Sequence, residues 1–96
     1  MGKHSWTYQE NEICCRRYLE HYVLKHENLS MSAFAKLLKL ELPHLKETSI
    51  KNKISNIRYL SINAGLDDSM HCAPLANCSA DNKKAFVALL DEYHLN

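Results

Sequence analysis

Two glycines and two prolines in 96 residues leave little material for tight turns. A sheet of hairpin-linked strands is therefore disfavoured, and a few helices joined by polar loops is the expected architecture. No apolar run approaches the ~20 residues that cross a bilayer. The segment Met1-Gly2-Lys3-His4-Ser5-Trp6 has no apolar signal region, and Trp6 stands where a myristoylation pattern needs Ser or Thr. A soluble, cytoplasmic chain without a membrane partner is the expectation. Hydrophobic content of 46% and charged content of 24% are those of a globular chain, and the length suits one domain over 1–96. An excess of charge of one sign is also lacking. The formal net charge is +1, so any electrostatic signal must lie in how the charges are distributed.

Catalytic and metal signatures are equally scarce. The chain has no G-x-S-x-G, no glycine loop for phosphate and no H-E-x-x-H, so no enzymatic activity, small-molecule substrate or cofactor is expected. The tight C-x2-4-C pairs of structural zinc sites are missing. Cys14 and Cys15 are adjacent on a predicted helix, where neighbouring side chains diverge by about 100°. His71, Cys72 and Cys78, with His44 or Cys14 as a fourth ligand, are the alternative metal set; free thiols are the simpler expectation, and no metal is assigned. Asp67 and Asp68 follow a helix end and read as solvated loop carboxylates. His4, His21, His26, His44 and His94 fall near helix ends or on polar faces, where no role is required.

What the chain does contain is helical periodicity. Thr7 followed by Glu10 is a capping-box pattern, with Trp6 placed to staple the first turn. It opens a helix from Tyr8 to about Lys25, whose apolar face is Ile13, Cys14, Tyr18, Leu19, Tyr22 and Val23 and whose polar side carries Arg16, Arg17, Glu20 and His21. A short second helix, Ala33 to Lys39, is capped by Ser30 or Ser32. It presents Phe34, Leu37 and Leu38 to the core and keeps Ala35 small for close approach. Thr48 caps a third helix reaching Asn63, which Gly65 terminates in a left-handed conformation. Residues 66–78 lack periodicity and form a loop pinned by Leu66, Met70 and Leu75. The fourth helix begins at Ser79 or Asp81 and repeats Phe86, Leu89, Leu90 and Tyr93 along one stripe. That stripe either caps the core or makes a homodimer.

The third helix is the unusual element. From Ser49 to Gly65 there is no acidic residue, and from Lys46 to Tyr59 the charges are Lys46, Lys51, Lys53 and Arg58 against Glu47 alone, four less one, a local +3. Ile50, Ile54 and Ile57 hold one side inward, leaving cations and amides outward. A short helix, a turn and a longer helix with such a face have the layout of a helix-turn-helix DNA reader. Lysine and arginine bond guanine edges, asparagine bonds adenine edges, and cations neutralise phosphates. Groove entry requires that this face be free of the fourth helix and of residues 66–78.

Trp6, Thr7 and Glu10, then A-F-A-K-L-L in the second helix and S-I-K-N-K-I-S-N-I in the third, resemble a Myb/SANT-like helix-turn-helix. More narrowly, they resemble the small helical DNA-binding segment associated with bacterial and phage HNH-type nucleases. In that group a tryptophan-led first helix precedes an S-[IV]-x-x-[KR]-[ILM]-x-N third helix and a G-L turn. Ser49, Ile50, Lys53, Ile54 and Asn56 fill the helix pattern and Gly65-Leu66 the turn, over roughly residues 5–67. Myb repeats keep an aromatic in the core of the third helix, where this chain has isoleucines, so the looser bacterial or phage group is the better match. No ββα nuclease unit accompanies it. The resemblance implies an all-α fold, a three-helix core over 5–65 with a C-terminal helix over 79–94, and binding to double-stranded DNA. A transcriptional regulator, or a competitor for a related nuclease's site, is the expected role. The candidate base contacts are Lys51, Asn52, Ser55 and Asn56, with Ser49 on the same helix; the candidate phosphate contacts are Lys46, Lys53 and Arg58. Tyr59 either reaches the duplex or packs on the loop. The alternative is a protein-interaction module that blocks or recruits another protein.

Overall fold

The first ordered turn follows from two side chains. In the computed structural model, which describes residues 5–96 and so leaves His4 outside the described residues, Thr7 is extended and accepts from the Glu10 amide at 3.1 Å. The Glu10 carboxylate accepts from the Thr7 amide at 2.9 Å. This capping box stabilises the start of α1 (Tyr8–Tyr18) by about 1 kcal/mol. The helix continues over Leu19–Leu24 as a wider π-helical stretch, which swings His21 and Tyr22 toward the next helix. His26, with φ of 49°, turns the chain.

α2 (Met31–Glu41) is capped by Ser30, whose Oγ accepts from the Ala33 amide at 3.1 Å. It extends two residues beyond the expected span at each end: at the start because Ser30, not Ser32, is the cap, and at the end where Lys39 Nζ reaches the carbonyls of Pro43 and Leu45 beyond the final turn. α3 (Glu47–Asn63) begins one residue before the expected cap: Lys46 occupies the N-cap without a side-chain bond, and Thr48 lies inside the first turn. Gly65, with φ of 72°, does end it in the left-handed region. The Gly65 amide bonds Ile62 O and the Leu66 amide bonds Ser61 O, which satisfies the last carbonyls. α4 (Ala80–Glu92) is capped by Ser79.

The described residues form an all-α domain of four helices. Tyr18, Tyr22 and Phe34 form its aromatic centre, with ring centroids 5.0 to 6.3 Å apart in tilted and edge-on pairs. Ile50, Ile54 and Ile57 close on this group from α3, while Ala85, Phe86 and Leu89 close from α4. The stripe on α4 is thus spent on the core against α1, the first of its two expected uses. Arg16 reaches Glu92 on α4 at 2.6 Å, and Arg17 reaches Glu41 on α2 at 2.8 Å. Leu37, expected in the core, is 41% exposed; it lines an open cleft between α1 and α2, where His21 stands edge-on to Phe34 with centroids 5.6 Å apart. Among the described residues no helix is long and apolar enough to cross a membrane.

Candidate nucleic-acid interface on the third helix

α3 sorts its residues by helical phase. Ile50, Ile54, Ile57 and Ser61 are buried, and Thr48, Asn52, Ser55, Tyr59 and Ile62 form the opposite ridge at alternating spacings of four and three. The first two turns are open. Lys46 and Asn52 are exposed, Ser49 is half-buried on one flank, and Lys51 pairs with Glu47 one turn back at 3.3 Å. Tyr59 is half-buried toward the far end.

Five of the nine expected contact residues are engaged by the protein itself, Lys51 through the Glu47 pair just described. Lys53 is only 6% exposed and lies with Nζ 4.7 Å from the centre of the Trp6 ring. Burial lowers its pKa, and the cation is held by the indole face. Position 53 falls beside Ile50 and Ile57 in phase, so its long stem is core material. Asn56 is 7% exposed, and its Nδ2 donates to Leu75 O at 2.7 Å. Arg58 pairs with Asp68. Ser55 is half-buried, and its carbonyl accepts the Leu75 amide. With Lys53 and Arg58 withdrawn, Lys46 and Lys51 face Glu47, two less one, so the local +3 falls to +1.

The cause is the 66–78 segment. Asn56 and Arg58, two positions apart, project from nearly opposite sides of a helix. One segment bonds both of them and also Ser55, whose carbonyl accepts the Leu75 amide at 3.0 Å. The inner side of α3 is filled by the isoleucines, so this chain crosses the outer ridge. Cys78 Sγ, 3.4 Å from Asn56 O, completes the crossing. The requirement of an uncovered face therefore fails at the middle of α3 and holds only at its N-terminal turns.

The anchor of this strap was misread in the sequence. Asp68 is not a solvated loop residue: its side chain is fully buried and receives Arg58 Nη1, the hydroxyls of Ser61 and Tyr18 (the latter at 3.1 Å), and the Met70 amide at 3.0 Å. Burial and this carboxylate together raise the Tyr18 pKa. The available signal was the position of Asp68 between Leu66 and Met70, the two apolar residues that seat the loop. Leu75, expected to pin the loop with its side chain, holds it through the backbone instead and is 43% exposed.

All four thiols are free. Cys14 and Cys15 are fully buried, and burial pushes the Cys14 pKa up to about 12. Cys72 and Cys78 are half-buried, also with raised pKa values from burial. Among the described residues no group of three His, Cys, Asp or Glu side chains is arranged to hold a metal ion. No family model, no curated protein and no solved structure matches the chain.

Proposed function

We propose that the protein binds double-stranded DNA weakly through the turn before α3 and the first two turns of α3, as a helix-turn-helix module built on α1, α2 and α3. The observation that carries this reading is the open N-terminal half of α3, where Lys46, Ser49, Lys51 and Asn52 lie clear of the strap. Helix-turn-helix readers place base contacts at the N-terminal end of the second helix of the motif, so a strap across the middle leaves the relevant end available. Lys46 neutralises phosphate, and Lys51 and Asn52 meet base edges, while Tyr59 lies beyond the strap and takes no part. So few contacts give low affinity and favour pairing with a partner or a second copy. In the cell such a module acts as a regulator or as a competitor for a nuclease site.

Selection of bound sequences from a random duplex pool, with light scattering for mass, tests this. An enriched consensus supports it; a pool that stays random, with no duplex retained at low salt, refutes it.

One observation favours the second reading, a protein-interaction module. Arg17, His21, Phe34, Leu37, Leu38, Leu40 and Glu41 line an open cleft of about 270 Å³ between α1 and α2. Leu40 at its edge is 79% exposed and Leu37 41%, so the cleft and its rim form one apolar surface. An apolar side chain of another protein would fill it. Such binding would tolerate salt, whereas duplex binding weakens steeply with it.

A further inference from the structure

We propose that residues 73–77 are a latch over the middle of α3, and that lifting it extends the duplex-binding face to Ser55 and Asn56. This rests on the DNA-binding reading above and adds a regulated state to it.

The strap is held unequally along its length. Its first part is built into the core: Asp68 is buried among four partners, Met70 is 1% exposed, and Ser69 bonds Tyr22 O through its amide and Glu27 O through its hydroxyl. Its far end is fixed by the Ser79 cap of α4. Between these ends Ala73, Pro74, Leu75, Ala76 and Asn77 are all exposed, and none of their side chains enters the core. Two hydrogen bonds hold this span to α3, from the Leu75 amide to Ser55 O and from Asn56 Nδ2 to Leu75 O. Both groups on α3 have alternatives on release. The Ser55 carbonyl lies mid-helix, where it already serves the intrahelical ladder, and the Asn56 amide becomes free for water or an adenine edge. Local opening is drawn from segments of this kind, with few buried apolar contacts and solvent-exposed backbone bonds. Closed, the latch keeps the middle of α3 out of a groove; open, it adds an amide reader next to Asn52.

Leu75→Pro supplies the test, because it removes the amide that donates to Ser55 O, one of the two bonds closing the latch, and leaves every residue of α3 in place. In the full chain, binding to the enriched duplex is measured for this variant and for the unmodified chain, with helicity compared by circular dichroism. The variant is expected to bind about tenfold more tightly, the gain of roughly one base contact. Equal binding by the two chains overturns the latch while leaving the duplex reading intact. Absence of binding in every form overturns both. Hydrogen exchange adds a readout independent of DNA: the amides of 75–77 should exchange far faster than those of Leu66 and Met70, and equal protection also overturns the latch.

Discussion

At the residue scale, Asp68 and Lys53 decide most of what α3 can do. Asp68→Ala would leave Arg58 without its carboxylate and the Ser61 and Tyr18 hydroxyls without their acceptor. Arg58 Nε is already buried without a partner, so the variant should lose about 3 kcal/mol in denaturant unfolding, within the range for breaking a buried ion pair. A loss under about 1 kcal/mol would mean that water replaces the carboxylate freely. Lys53→Met should change duplex affinity by less than about twofold, because the cation it removes faces Trp6 and not solvent. Its stability should shift by no more than about 1 kcal/mol, since the lost indole contact is offset by relief of a buried charge. The sequence read these two residues differently for a physical reason. Periodicity locates the apolar side of a helix well, but a lysine at its edge can send its stem inward, and no local pattern separates that case from an outward cation. A carboxylate in a loop likewise gives no sign of burial, since its partners Arg58, Ser61 and Tyr18 come from α3 and α1.

At the element scale, helix identity and boundaries were largely legible. The Thr7-Glu10 capping box, the Ser79 cap and the Gly65 stop each appear where the local chemistry places them. Of the misplaced features, the longer C-terminal end of α2 has Lys39 closing over the α2–α3 turn, and the exposure of Leu37 reflects the open cleft that it lines between α1 and α2. Ion pairs join the elements. Arg17 holds the Glu41 carboxyl below its usual pKa, and Arg16 does the same for Glu92. For a carboxylate whose pKa is lower folded than unfolded, the stabilisation is complete above the unfolded value and lost as pH falls through the folded one. Thermal stability should therefore decline as pH drops below about 4.5, the unperturbed value. The decline should be shallower in Arg17→Met, as read by melting temperature against pH. An unchanged slope would show that the α1–α2 pair has no net effect, as many exposed pairs do.

For the molecule as a whole, the four-helix all-α arrangement follows from amphipathic stripes that have only each other to pack against. The path of residues 66–78 does not, because a segment without periodicity is positioned by the surface it lands on. That surface is the face of α3 that carries no acid from Ser49 onward. The absence of carboxylates from Ser49 to Gly65 has a structural explanation in part: Asp68 supplies from the loop the negative charge that Arg58 needs, and Trp6 takes up Lys53. What remains is a smaller cationic and amide patch at one end of α3, beside an apolar cleft on α2, and the two surfaces make opposite demands on salt.

The most direct test of the central claim is equilibrium binding of a labelled duplex, taken from the enriched pool, across a series of salt concentrations. It compares the unmodified chain with the Lys46→Ala, Lys51→Ala double variant. The account requires measurable binding by the unmodified chain, and in the variant an affinity about tenfold lower or worse with a logarithmic salt slope smaller by about 2, one unit for each lost cation. Identical affinity and slope in the two proteins, with helicity unchanged, would contradict it.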